Sequence, residues 1–140
     1  MMDKSFINEI EAFADKGALI FDEPLCNHTT FRVGGKADAF LSVRNEEELR
    51  KAVLLCKEYG VPFLILGNGS NLLVSDNGYR GMVILVGKDM SEIAVDGNRI
   101  TVMAGATLGS VAQTAAKNSL GGMEFASGIP GTIGGAIVMN

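Results

Sequence analysis

Five uncharged residues, Gly67-Asn68-Gly69-Ser70-Asn71, separate the apolar runs Phe63–Leu66 and Leu72–Val74. Two of the five lack a Cβ, so the backbone can curl until several successive N–H groups converge, which binds an anion without a cationic side chain. Ser70 and Asn71 add side-chain donors, and Asn68 tolerates a left-handed conformation. A tight connection between strands would use the same residues and need no ligand. A second segment, Ala126 to Ala136, places Gly128, Gly131, Gly134 and Gly135 around Ile129, Pro130 and Thr132. Pro130 stiffens that turn, Thr132 offers a hydroxyl, and a ligand could lie against bare backbone there. Two such loops in one short chain favour an extended, diphosphate-containing ligand. Neither matches the usual phosphate motifs, since Gly67-Asn-Gly69 lacks the third glycine of G-x-G-x-x-G and no G-x-x-x-x-G-K-[ST] occurs. Glu124 could orient a polar ligand group or sit solvated in its loop. His28 has no second ligand or partner carboxylate in view and reads as a structural or solvent histidine.

The bulk composition narrows the partners. Sixteen acidic against twelve basic residues give a net charge of −4 with the signs interspersed, so no basic stripe exists for nucleic acid. Any phosphate must be held largely by amides. With 47% hydrophobic and 20% charged residues and a mean hydropathy of +0.25, the 140-residue chain reads as folded. A chain of this size buries roughly 68% of its unfolded surface. Cys26 and Cys56 form neither a disulfide framework nor a metal spacing, so two reduced thiols and no metal site are expected. No signal-like core and no apolar run near the roughly 18 residues of a membrane span is present. A cytoplasmic protein is expected.

The elements that must hold these loops can be read in part. Phe6, Ile10 and Phe13 on one face predict a helix over 3–17 stopped by Gly17. Residues 18–35 read as irregular, punctuated by Pro24 and Gly34-Gly35, and the alternation Ala37 to Val43 as a strand. Asn45-Glu-Glu-Glu48 is a capping-box variant opening a helix over 45–59, with Leu49, Val53 and Cys56 inward, pairs Glu46/Arg50 and Glu47/Lys51 outward, and Gly60 closing it. With strand 63–66 this makes a βαβ unit if the strands are parallel. Strands at 82–86, 93–95 and 99–103 then read as two hairpin-like pairs, with Asp96-Gly-Asn98 as a tight turn. Thr107 caps a helix to about Ser119 that buries Val111, Ala112, Ala115 and Ala116 against a sheet, and Gly121-Gly122 end it. The expected organisation is an N-terminal helix over 1–20 and an α+β domain over 21–140, its subdomains dividing near 75/76 and the second incomplete at its C-terminus.

Asn27-His-Thr-Thr-Phe-Arg-Val-Gly-Gly35, Leu66 to Val74 and Gly128 to Ala136, in that order, resemble the N-terminal half of the MurB family, the UDP-N-acetylenolpyruvoylglucosamine reductases of bacterial peptidoglycan precursor synthesis. The resemblance runs from about residue 20 to the end and implies a vanillyl-alcohol-oxidase/PCMH-type FAD-binding fold, with FAD gripped between two α+β subdomains. It implies that Gly67, Asn68, Gly69, Ser70 and Asn71 wrap the FAD pyrophosphate. Gly128, Ile129, Pro130, Gly131, Thr132, Gly134 and Gly135 would line the other side, Ala104-Gly105-Ala106 would make a third close approach, and Asn140 would belong to the same site. Arg32 would contact FAD or form a surface salt bridge. In such a family NADPH reduces FAD, and the flavin passes hydride to the enolpyruvyl ether of a UDP-sugar while a serine supplies the proton. That serine and its glutamate and arginine partners follow the segment matching 128–136, so no catalytic residue is assigned here. The apolar run Ile133 to Asn140 reads as the edge of a fragment, expected to bind FAD without turnover and to self-associate. Two other readings stay open: the FAD domain of a small-acid oxidase of the same fold, and a non-catalytic flavin or nucleotide module acting as carrier or regulator.

Overall fold

Met82 to Val86 is an uninterrupted apolar run, the pattern of a strand covered on both faces. In the computed structural model, which describes residues 2–139, it belongs to the central strand β4 (Tyr79–Val86). Strand order is β1-β2-β4-β3, with β1 as Leu19–Pro24, β2 as Lys36–Val43 and β3 as Phe63–Leu66. β4 runs parallel to both β2 and β3, while β1 is antiparallel to β2. One face of the sheet (Ala39, Leu41, Val43, Met82, Ile84, Val86) packs on α1 (Lys4–Glu11) and α2 (Glu46–Glu58) through Phe6, Ile10, Ala52 and Cys56. The other face gathers Leu25, Phe40, Leu66 and Val83, partly covered by Leu72 and Val74.

The unit β2-α2-β3 is therefore a parallel crossover with β4 inserted between its strands, and the expectation that 82–86 opens a hairpin is corrected. β4 is hydrogen-bonded to strands on both sides of it, so the sheet continues across the 75/76 division. Parallel neighbours need a long return path. For β3 and β4 that path is residues 67–78, which start with the glycine-asparagine segment and lay Leu72 and Val74 on the sheet.

Several local expectations change. α1 ends at Glu11 rather than 17, because the chain turns at Asp15, whose carboxylate pairs with Arg44. Residues 19–24 form β1 where irregular chain was expected; it is an edge strand in one continuous register with β2, with Asp22 at φ 55 in its middle, and it lacks the alternation that would reveal it. Asn45 caps α2 by accepting from Glu48 N, but Glu48 Oε2 reaches past the cap to accept from Arg44 N at 2.9 Å. The face that α2 buries is Glu48, Ala52 and Cys56, with Leu49 and Val53 half-buried beside it. Glu47 pairs with Lys51 at 2.7 Å, whereas among the described residues Glu46 and Arg50 do not pair.

After β4 the chain forms one antiparallel hairpin, β5 (Ile93–Asp96) with β6 (Arg99–Val102), around Gly97 at φ 58. Thr107 caps α3 (Leu108–Lys117) by accepting from Ser110 N. α3 buries Leu108 in place of the exposed Ala116. Its apolar side meets Ala126, Met123 and Ile133 instead of a sheet. Ser119, at φ 56, takes the left-handed position closing α3, with Leu120 N donating to Ala115 O at 2.9 Å, so the helix stops before Gly121. A last helix, α4, spans Ile133–Met139.

Candidate functional site

Parallel strands point their C-terminal ends the same way, and crevices beyond such ends are where open sheets bind ligands. Beyond β3 and β4 lies a cavity of about 500 Å³. Its walls come from Gly67 and Asn68 after β3, Leu85 to Lys88 at the end of β4, Gly105 and Thr107 before α3, Ser110 on α3, Thr132, Ser91 and His28. No carboxylate side chain is among them, although the chain carries sixteen.

The three sequence segments do meet here. Ser70 Oγ donates to Pro130 O at 3.2 Å, joining the two glycine-rich loops. Thr107 and Thr132 form an antiparallel bridge, extended by Leu108 N to Gly131 O (3.1 Å), Ile133 N to Ala106 O (2.8 Å) and Gly134 N to Ala104 O (2.9 Å). Thr30 N donates to Gly69 O at 3.1 Å, tying the entry segment 27–33 to the first loop. Thr132 is 6% exposed, and its hydroxyl oxygen accepts from Gly135 N at 3.3 Å.

Among the described residues, none of the five amides from Gly67 to Asn71 has a hydrogen-bond acceptor. Gly69 is buried all the same. Asn68 and Asn71 are exposed to water, but an amide left unpaired inside a protein costs free energy comparable to a lost hydrogen bond, so that of Gly69 calls for an acceptor that the protein does not supply. An anion meets that need.

The glycines divide by what uses their clearance. A Cβ on Gly69 would stand 1.9 Å from His28 O, and one on Gly105 would stand 2.1 Å from Gly87 O. At these two positions the space is taken by the protein's own carbonyls. A Cβ on Gly128 would meet nothing within 4 Å. The amides of Gly105 and Ala106 donate to Met90 O and Met103 O, unlike those of 67–71. Ile129 is exposed beside Pro130, and Asn140 lies outside the described residues.

The other residues singled out from sequence are placed as follows. His28 has the partner carboxylate that the sequence did not reveal: Nε2 lies 2.8 Å from Glu23 Oε1, and the ring stacks on Phe40 at 4.1 Å. Arg32, at φ 54, has no acidic partner among the described residues. Glu124 serves its own loop, accepting from Gly122 N at 2.8 Å. Lys88, which lines the cleft, was missed, and its position two residues after the apolar run of β4 was the available signal. Cys56 is buried between α2 and β4, which pushes its thiol up to about 11. Cys26 is free and half-buried.

Comparison with known proteins agrees with this geometry. Residues 37–140 match the FAD binding domain family. The chain is 49% identical, over its whole length, to 46% of the UDP-N-acetylenolpyruvoylglucosamine reductase of Desulforamulus reducens. Its structure resembles that of UDP-N-acetylenolpyruvylglucosamine reductase from Thermus caldophilus, with 37% identity and a TM-score of 0.64 over 85% of this chain and 40% of that one. A more distant likeness, to alkyldihydroxyacetonephosphate synthase (21% identity, TM-score 0.70, 96% of this chain and 29% of that one), concerns the fold alone. The chain spans about half the length of the curated relatives it matches. The architecture is the α+β vanillyl-alcohol-oxidase/PCMH type, and a cleft with bare amides and no carboxylates fits the diphosphate of FAD. From the match over most of its length, the chain belongs to the FAD-binding domain family.

Proposed function

We propose that this chain is the FAD-holding part of an NADPH-dependent, cytoplasmic reductase that converts the enolpyruvyl ether of UDP-N-acetylglucosamine enolpyruvate into UDP-N-acetylmuramate. The observation that carries the cofactor half is the run of unpartnered amides from 67 to 71, of which Gly67 and Asn68 line a cleft free of carboxylates. Similarity to the reductases supports the reaction. Bound FAD supplies hydride transfer. The chain's own residues hold and orient it: the 67–71 amides and the Thr132 hydroxyl receive the diphosphate, and the bridge between 104–107 and 131–134 fixes the wall that carries Thr132. No catalytic acid or base for the sugar substrate is assigned among these residues. The chain then binds FAD without reducing the substrate.

Titrating the purified chain with FAD, followed by flavin absorbance and fluorescence, tests this. Saturable binding that ADP competes away, with no turnover of the enolpyruvyl substrate, is expected. A folded sample that takes up no FAD contradicts the cofactor reading, and turnover by these 140 residues contradicts the division of labour. Bleaching of the full-length protein's flavin by NADPH separates a reductase from a flavin carrier. Ile137, Val138 and Met139 on α4 are 74%, 82% and 61% exposed, a patch through which the isolated chain self-associates. Size-exclusion chromatography of a clean monomer at all concentrations would contradict that last point.

A further inference from the structure

Of the twelve Lys and Arg residues, Lys88 is the one that lines the cleft. Three of the others are committed elsewhere: Arg44 to Asp15 and Glu48, Lys51 to Glu47, and Arg80 to Asp38. Lys88 has no carboxylate within 4 Å among the described residues. Arg44, held protonated chiefly by its hydrogen bond to Glu48, is also within the field of Lys88's neighbour Asp89. The turn carrying Lys88 is fixed in place, because Met90 N donates to Gly87 O at 3.1 Å and Gly105 N donates to Met90 O at 2.8 Å. A lysine without a carboxylate partner is thus carried on a fixed turn at a carboxylate-free cavity that Gly67 and Asn68 also line.

We propose that Lys88 is a specificity-determining residue of the cofactor cleft, giving its charge to the dinucleotide's diphosphate and so favouring FAD over riboflavin. This rests on the reading of the cleft as the FAD site. Amides orient an anion but carry only partial charge, whereas an ammonium group adds a full charge whose effect salt screens. The FAD affinity of the wild-type chain accordingly falls as salt rises, and Lys88 accounts for much of that fall.

The test measures binding of FAD, ADP and riboflavin to wild type, Lys88→Gln and Lys117→Gln at low and high salt. Lys117 sits at the end of α3, outside the cleft, and makes the same change in net charge. Lys88 is exposed, so its replacement leaves the fold intact. Lys88→Gln is expected to weaken FAD and ADP by about five- to tenfold at low salt, to flatten the salt dependence, and to leave riboflavin unchanged. Lys117→Gln is expected to match wild type. If wild type binds FAD and Lys88→Gln binds it equally with the same salt dependence, the assignment is overturned. Equal weakening of riboflavin, or an equal effect from Lys117→Gln, overturns it as well. Failure of wild type itself to bind FAD removes the cofactor reading and this inference with it.

Discussion

Replacing Gly69 by Ala strikes the structure where the cofactor loop leans on the entry segment. Gly69 has φ +61, and a left-handed conformation costs an alanine about 1–2 kcal/mol. The new Cβ would stand 1.9 Å from His28 O, and since real contacts do not fall below 3.0 Å, the two segments must part by at least about 1.1 Å. That separation breaks the 3.1 Å bond from Thr30 N to Gly69 O, worth about 0.5–1.5 kcal/mol. The combined loss is about 1.5–3.5 kcal/mol, which for a domain of this size lowers Tm by about 5–12 °C. Two other glycines separate the causes. Gly60 shares the positive φ, +63, but has open space around its Cβ direction, so Gly60→Ala carries only the conformational cost, about 3–7 °C. Gly128 has neither constraint, and Gly128→Ala stays within about 0.5 kcal/mol of wild type. Thermal unfolding by circular dichroism at fixed concentration ranks the three. Gly69→Ala melting together with Gly60→Ala would refute the claim that this glycine is demanded by the His28 carbonyl.

Because no neighbour constrains Gly128, Gly128→Val is expected to keep Tm and weaken FAD binding by about tenfold if its clearance belongs to the cofactor; unchanged binding would remove Gly128 from the site. Glu48 is 7% exposed, and its hydrogen bonds from Arg44 hold its carboxyl below the usual range. A carboxyl lowered on folding adds stability that is complete above the ordinary value of about 4.3 and is lost as pH falls through the folded value. Glu48→Gln should therefore flatten the acid limb of a Tm-against-pH curve below about pH 4.3, and an unaltered limb would contradict the pairing. A thiol reagent near pH 8 should label Cys26 in the native chain and reach Cys56, whose thiol lies at about 11, only on unfolding; two fast thiols in the folded state would contradict the packing of Cys56 against Met82.

Local signals were legible where one residue type does a local job. Asn45 and Thr107 as caps, Gly60 as a helix stop and Gly97 in the hairpin all stand where the sequence places them. What stayed hidden depends on partners distant in sequence. Strand pairing is set by neighbours, so the run 82–86 could not announce that it would slot between β2 and β3, nor could 19–24 show itself without two-sided burial. The same holds at the site. The two glycine-rich loops were visible as loops, but their junction through Ser70 and Pro130 and the bridge of Thr107 to Thr132 exist only once the chain is folded. Glycine clearance was read as room for a ligand, yet at Gly69 and Gly105 it is filled by carbonyls from His28 and Gly87. Glu23 lies five residues from His28 and was not visible as its partner, because only the strand β1 and the turn after it bring the two side chains together.

The central claim is that the amides of Gly67 to Asn71 wait for the diphosphate of FAD, and their hydrogen exchange reads this most directly. Measured by NMR on the free chain, these five amides should exchange fast, having no acceptor among the described residues. Saturating FAD should slow several of them at least tenfold while leaving the β5–β6 hairpin unchanged. If FAD binds and the exchange of all five is unaltered, the cofactor's diphosphate sits elsewhere and the account fails.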